Sequence, residues 1–200
     1  MPRNRSAPAT ATTSAAGPIS ALWRRLDCPG HDAAQLQPHG AGWLLRGMAV
    51  FEHAGAPAAL GYQLVLAADG STRSAQVRGF AGPREISHTV ERDGRGWRYN
   101  GRRWPGLDHL QDVDLGFTPA TNRQHLLRAD LAVGGEAALA VLWLDVDAQG
   151  PQELPQHYAR HSARTYRYRA PSVGYEAILE LADNGFAAHY PRLWTMVRTG

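Results

Sequence analysis

The chain has 200 residues, of which 44% are hydrophobic and 20% are charged, a composition typical of a globular protein rather than a disordered or fibrous one. No stretch approaches the roughly 18 apolar residues of a membrane span, so we expect no integral membrane contact. The single cysteine, Cys28, excludes a disulfide or a cysteine zinc site within the chain. We expect neither a metal nor another cofactor.

The charge balance argues against a nucleic-acid partner. The net charge is only +3, and all 21 basic residues are arginine. Residues 164–169 come nearest to a basic patch with interleaved aromatic residues. Their arginines alternate with tyrosines, which is the pattern of the solvated face of a strand. We therefore expect no binding of nucleic acid.

Residues 1–18 differ in composition from the rest and are predicted to form a disordered N-terminal tail. They are rich in Ala, Thr, Ser and Pro and contain no apolar segment. A secretory signal peptide needs such a segment, so we expect the protein to reside in the cytoplasm. Residues 19–200 are predicted to form one domain.

From residue 42 onward the sequence predicts a series of strands separated by turns. The predicted strands are 43–53, 60–67, 74–80, 85–91, 97–99, 137–146, 175–181 and 186–190. The run 137–146 is apolar on both faces, which predicts a central strand covered on two sides. Asn100-Gly101 and Asp183-Asn184-Gly185 are predicted to be turns that join neighbouring strands.

Helical patterns are few, and only residues 21–26 and 154–161 are predicted to form short helices. In the second helix His157 and His161 would share one face, as two metal ligands can. A third ligand is missing from this pattern, so we expect no metal site. Closely spaced turns with few helices predict an all-β barrel, roll or sandwich.

Two acids, Asp112 and Asp114, are the most informative chemical feature of the sequence. In a strand they would point to the same side with their side chains roughly 6–7 Å apart. Such a pair could accept hydrogen bonds from sugar hydroxyls, or act as the two carboxylates of a glycosidase. It could also be a pair of solvated acids that protects an edge strand. The sequence leaves these three readings open.

Further candidates for ligand binding surround this pair in the sequence. Thr118 and Asn122 lie in a predicted polar loop, 116–123, that could contact a polyol or only satisfy its own backbone. Arg73 is a candidate charged partner for one of the acids. Trp97 and Trp143 could stack on a sugar, line an acyl chain, or anchor a β core without any ligand. No nucleophile motif accompanies them, so we expect no catalytic residue.

Some of these residues belong to a run that resembles the signature of a known family. The run 112–122, Asp-Val-Asp-Leu-Gly-Phe-Thr-Pro-x-Thr-Asn, resembles the signature of the putative glycolipid-binding family of bacterial domains. Weaker matches to it are Gly96-Trp97, Leu107-Asp108, Gln156-x-Tyr158, Tyr166-x-Tyr168, Asp183-x-Gly185 and Tyr190-Pro191. The resemblance covers about residues 42–198. His109-Leu110, Ala120 and residues 123–125 depart from the family pattern, which affects the expected ligand contacts more than the fold.

The resemblance implies a mainly β fold: a single-domain antiparallel spiral β-roll, or open barrel, wrapped around one short helix. It implies non-catalytic binding of an amphipathic glycolipid, or a related lipid or sugar ligand, inside the curled sheet. The expected ligand-binding residues are Arg73, Trp97, Asp112, Asp114, Thr118, Asn122, Trp143 and Tyr158. The alternatives are a hydrolase of glycosides or lipids that uses Asp112 and Asp114, and a structural domain without a ligand.

Overall fold

The computed structural model describes residues 17–200 and contains fifteen strands and one α-helix. The strands before the helix are β1 (Ile19–Arg25), β2 (Gly30–His39), β3 (Gly42–His53), β4 (Ala56–Leu66), β5 (Thr72–Ala81), β6 (Arg84–Asp93), β7 (Gly96–Tyr99), β8 (Arg102–Arg103) and β9 (Val113–Leu115). Helix α1 (Asn122–Ala129) follows them. The strands after it are β10 (Glu136–Leu144), β11 (Gln152–Arg160), β12 (Thr165–Ala170), β13 (Tyr175–Leu181), β14 (Ala187–Tyr190) and β15 (Trp194–Thr199), with a 3-10 turn at Pro171–Val173 between β12 and β13.

All fifteen strands form one curled open sheet whose order follows the chain. The sheet runs from β8 back to β1, crosses to β15, and then runs back from β15 to β9. Neighbouring strands are antiparallel except β9 and β10, which are parallel. The predicted mainly β, single-domain spiral roll around one short helix is therefore confirmed. No helix within residues 17–200 is long and apolar enough to cross a membrane.

The core lies on the concave side of the sheet, because one side chain in two points inward along each strand. In β4, for example, Leu60, Tyr62 and Leu64 are buried. The segment between β8 and α1 packs its own side chains into this interior. The ring of Phe117 lies 6.5 Å from that of Phe51 and 6.0 Å from that of Tyr62.

Both predicted helices are wrong. Residues 21–26 lie almost wholly in β1, and residues 154–161 lie almost wholly in β11. In β11 the buried residues alternate, which is the period of a strand. His157 and His161 therefore do not share a helix face, since four residues of strand span roughly 13 Å. The helix forms instead at Asn122–Ala129, partly where a loop was predicted.

Several predicted strands and turns are confirmed. Asn100 and Gly101 join β7 to β8 with positive φ angles of 47° and 76°, as a tight hairpin turn of this type requires. Residues 182–186 connect the predicted hairpin of β13 and β14. Strand β10 was predicted to be covered on both faces, but only its C-terminal half, which pairs with β9, is mostly buried. Strands begin at Ile19 rather than near residue 42. Residues 1–16, nearly all of the predicted tail, lie outside the described residues.

Candidate binding site

A buried hydrogen-bonded network connects β9, α1 and β11 in the interior. The carboxylate of Asp114 accepts hydrogen bonds from Thr121 Oγ1 at 2.7 Å and from Gln156 Nε2 at 2.7 Å. Gln156 Oε1 accepts from the Tyr158 hydroxyl at 3.2 Å, and that hydroxyl accepts from Asn122 Nδ2 at 3.3 Å. Burial holds the pKa of Tyr158 well above its usual value. We call these five residues the interior network; it contains the predicted Asp114, Asn122 and Tyr158.

Asp112 lies beside this network and forms an ion pair with Arg128, in the last turn of α1. The Arg128 Nε atom is 3.2 Å from both carboxylate oxygens and donates to Oδ2. Oδ1 is buried and accepts no hydrogen bond within residues 17–200. Arg128 also donates to Gln111 Oε1 at 2.6 Å. Arg73, predicted as a partner for one of the acids, is exposed, and Arg128 takes that role instead.

A cleft opens beside α1 where β1, β2, β3 and β4 begin or end at the same edge of the roll. It has a volume of about 330 Å³. Its apolar lining consists of Ile19, Leu36, Trp43, Leu66 and Leu127, and its polar lining includes Asp69, Arg123, Gln124 and Arg128. We call it the mouth cleft. Arg128 belongs both to the cleft and to the ion pair with Asp112, so the cleft and the interior network are neighbours.

Several buried polar atoms on or beside α1 lack a hydrogen-bond partner among residues 17–200, and one of them belongs to a residue of the cleft. Gln124 Nε2 is buried and has no hydrogen-bond partner within the described chain. The same is true of both ring nitrogens of His125, whose ring lies 6.2 Å from that of Tyr158. Such atoms are uncommon in protein interiors, because a lost hydrogen bond to water costs free energy. Gln124 Nε2 and Asp112 Oδ1 thus provide one free donor and one free acceptor.

Arg123, which precedes Gln124 in the sequence, borders the cleft, and two contacts fix its position. Its Nε donates to the Asn184 carbonyl at 2.8 Å, and its guanidinium lies 5.5 Å from the centre of the Phe186 ring. Burial lowers the pKa of Arg123 from its usual value. The cleft therefore has a fixed positive group at its polar side.

Thr118 belongs to a second buried cluster, on the other side of Phe117. Its Oγ1 donates to Asp32 Oδ2 at 2.5 Å and lies 3.0 Å from the Tyr62 hydroxyl, which itself donates to Asp32 at 2.9 Å. Burial raises the pKa of Asp32 to about 6. Asp32 was not predicted as a site residue, because an isolated acid in a run of small and polar residues carries no motif.

The other predicted residues lie elsewhere. Trp97 is fully buried and donates its Nε1–H to the Leu110 carbonyl at 3.1 Å, so it anchors the core. Trp143 borders a separate pocket of about 230 Å³, and Arg73 borders a polar depression near β6. None of the three lines the mouth cleft. The cleft residues themselves were missed, because five segments that are far apart in sequence form it.

Comparisons with known proteins show a family and a similar fold. A family model described as putative glycolipid-binding matches residues 20–196. The fold is similar to the crystal structure of a DUF1089 family protein from Pseudomonas aeruginosa, with a TM-score of 0.66 and 26% sequence identity. That similarity covers 96% of this chain and 99% of the other. Among curated proteins, none matches. The family match includes all residues of the interior network and all of the named cleft residues except Ile19.

Proposed function

The chain belongs to the putative glycolipid-binding family, and we propose that it binds one amphipathic glycolipid, or a related lipid or sugar ligand, in the mouth cleft without altering it. The observation that carries this proposal is the lining of the cleft, which is apolar on one side and polar on the other. Its volume lies at the lower end of the roughly 300–1,000 Å³ typical of small-molecule sites.

The apolar side of the cleft suits an acyl chain. Leu127 leaves 52% of its surface exposed although it lies beside Trp43 and Leu66 in the lining. An acyl chain placed there would remove this leucine and its neighbours from water, which stabilises the complex by the hydrophobic effect. The apolar lining therefore supports a ligand with a hydrocarbon part.

The polar side suits a hydroxyl-bearing headgroup. A sugar hydroxyl both donates and accepts a hydrogen bond, whereas the ester and ether oxygens of a lipid only accept. Gln124, which lines the cleft, could donate to such a group through Nε2. This atom would gain the partner that it lacks within the described chain.

The state of the two acids supports binding rather than hydrolysis. A glycosidase needs one carboxyl group as an acid and a second as a base or nucleophile, both against the scissile bond. Both oxygens of Asp114 already accept hydrogen bonds within the interior network. Asp112 is held by Arg128. The pair is thus arranged to position α1 against β9 and β11.

The acyl part of the proposal is tested with delipidated protein and dodecyl maltoside, kept below its critical micelle concentration. We expect Leu127→Gln to weaken binding about tenfold in calorimetric titration, because a leucine contact is worth more than 1 kcal/mol. Leu26→Gln is the matched control, since Leu26 is 40% exposed and lies outside the cleft. Equal affinity of wild type and Leu127→Gln for dodecyl maltoside would overturn the assignment of the acyl chain to the mouth cleft.

The headgroup part is tested with Gln124→Met, which keeps the size of the side chain and removes the unpaired amide. We expect binding of dodecyl maltoside to weaken about five- to tenfold, the worth of one or two hydrogen bonds. Binding of dodecyltrimethylammonium, which has the same chain and a headgroup that neither donates nor accepts a hydrogen bond, should be unchanged. An equal loss for both detergents, or for neither, would contradict the assignment of Gln124 to the headgroup.

A further inference from the structure

The outer face of the sheet carries an exposed apolar surface on strands β1 to β5, of which β1 to β4 also form the mouth cleft. The surface comprises Leu22, Ala33, Met48, Val50, Ala59 and Phe80, and we call it the outer apolar patch. Leu22, Ala33 and Met48 are paired across neighbouring strands in one row, and Val50, Ala59 and Phe80 are paired in the next row. Met48, Val50 and Phe80 are each about half exposed.

The patch contains a shallow depression of about 580 Å³. A small residue creates it, since Ala33 leaves a hollow between Leu22 and Met48. Arg46 and Arg198 border the depression. An apolar hollow between two cations is thus open to solvent on this face.

Four exposed arginines surround the patch. Arg198 and Arg78 lie at the two ends of the row that contains Leu22 and Met48. Arg24 lies at one end of the row that contains Val50. Arg46 lies two residues from Met48 on the same face of β3. None of the four forms an ion pair with a carboxylate anywhere in residues 17–200. Two acids also border the patch: Glu85 pairs with Phe80, and Glu52 lies two residues from Val50 on the same face of β3. Four arginines against two acids leave the rim with a net positive charge.

We propose that the outer apolar patch docks on the surface of an anionic lipid bilayer. A contiguous exposed apolar surface marks an interaction site. A second copy of the chain would bring the same arginines against each other, which like-charge repulsion disfavours. An anionic bilayer offers the opposite charge to the rim and an apolar layer to Met48, Val50 and Phe80.

This inference rests on the proposed function, because a glycolipid ligand resides in a bilayer. Strands β1, β2, β3 and β4 contribute to both the patch and the mouth cleft. Leu22 of the patch lies three residues from Ile19 of the cleft, which is roughly 10 Å along a strand. Docking by the patch would therefore hold the cleft close to the lipid surface.

The test is flotation of the full chain with vesicles of phosphatidylcholine alone or of equimolar phosphatidylglycerol and phosphatidylcholine. We expect binding to the anionic vesicles only, and weaker binding as salt is added. Arg46→Gln with Arg78→Gln should lower the partition coefficient about 25-fold, at about fivefold for each arginine. Met48→Thr with Phe80→Thr should lower it about tenfold or more.

The matched control is Arg169→Gln with Ile178→Thr, an exposed arginine and an exposed apolar residue on β12 and β13 away from the patch. It should float as the wild type does. Three results would overturn the proposal: no binding of the wild type to anionic vesicles, equal binding of the patch variants and the wild type, or a dimer in sedimentation that the patch variants convert to a monomer.

Failure of the docking proposal is distinguishable from failure of the proposed function. Affinity for dodecyl maltoside is measured on the same proteins, and the patch variants should retain it because they leave the cleft intact. A wild type that binds the maltoside but not anionic vesicles would overturn docking alone. A wild type that floats with anionic vesicles but does not bind the maltoside would overturn the cleft assignment alone.

Discussion

Asp32 is fully buried on β2, where the hydroxyls of Tyr62 and Thr118 donate hydrogen bonds to its carboxyl group. Removal from water disfavours the charged form, and this burial raises the pKa of Asp32 from its usual 3.8 to about 6. The folded protein therefore holds a proton between these two pH values that the unfolded chain has released.

It follows that Asp32 makes the stability of the fold depend on pH. The free energy of unfolding should contain a contribution that is complete below about pH 4 and is lost as the pH rises to about 6. Its size is roughly 3 kcal/mol, from about two pKa units at 1.36 kcal/mol each. The side chain introduced by Asp32→Asn cannot ionise, so this variant should lack the pH-dependent contribution.

Urea denaturation of both proteins between pH 4 and pH 7 measures this difference. The variant should gain stability relative to wild type as the pH rises, because the other carboxyl groups are common to both proteins. Parallel stability curves would show that Asp32 does not keep its proton in the folded state.

Asp112 and Asp114 should differ in their contributions to stability. Asp114→Ala leaves the buried donors of Thr121 and Gln156 without an acceptor, which should cost about 2–4 kcal/mol of unfolding free energy. Asp112→Ala frees only Arg128, a quarter of whose side chain is exposed to water, and should cost about 1 kcal/mol. Urea midpoints of the two single variants compare them. A larger loss for Asp112→Ala would contradict this order.

Strand β3 depends on a glycine where it crosses the Asp32 cluster. A Cβ atom on Gly47 would lie 2.3 Å from the Tyr62 hydroxyl and 2.6 Å from the Ala33 carbonyl oxygen. Gly47→Ala should therefore displace Tyr62 and cost about 2–3 kcal/mol, as overpacking of a core does.

Gly61, on the neighbouring strand β4, is the matched control for this change. A Cβ atom there would meet the flexible end of Met48 at 3.3 Å. Gly61→Ala should be neutral, or slightly stabilising, because alanine restricts the unfolded chain. Thermal unfolding compares the two, and equal melting temperatures would contradict the role of Gly47.

The strands that the sequence predicts well are those in which apolar and charged residues alternate between clear turns, as from Trp43 to Tyr99. Strand β2 lacks this pattern because its inward side includes Asp32. Helix α1 was not predicted for a similar reason, since its buried residues include Asn122, Gln124 and His125. Periodicity detects apolar faces, and here the inward faces are partly polar.

The site was predictable only in part for a related reason. The family signature located Asp114, Asn122 and Tyr158, which the fold brings into one network. The mouth cleft is formed by strand ends and a helix that are distant in sequence, so no local pattern marks it. Arg128 rather than Arg73 lies beside Asp112, because the fold places the last turn of α1 next to that acid.

At the scale of the whole molecule, the roll is held together where its first and last strands meet. Strand β15 pairs with β1 on one side and with β14 on the other. Thr195 pairs with residues of both neighbours, Arg24 and His189. This junction joins the two halves of the sheet, and a break there should unfold both.

Proline substitutions test this junction. Thr195→Pro should cost about 3 kcal/mol or more, because proline cannot donate to the ladder of an inner strand. Arg103→Pro in the edge strand β8 is the control. The backbone amide of Trp104 donates to the Trp97 carbonyl within the sheet. Because amide directions alternate along a strand, the backbone amide of Arg103 points away from the sheet. Similar losses in unfolding free energy for the two variants would contradict the account of the junction.

Native mass spectrometry of the freshly purified chain tests most directly whether the mouth cleft holds one amphipathic ligand. We predict a mass above the 21.8 kDa of the polypeptide by that of one glycolipid. The added mass should disappear on delipidation, return on incubation with bacterial lipid extract, and return in a smaller fraction of the Leu127→Gln variant. A chain that keeps the bare polypeptide mass before and after exposure to the extract would contradict the proposed function.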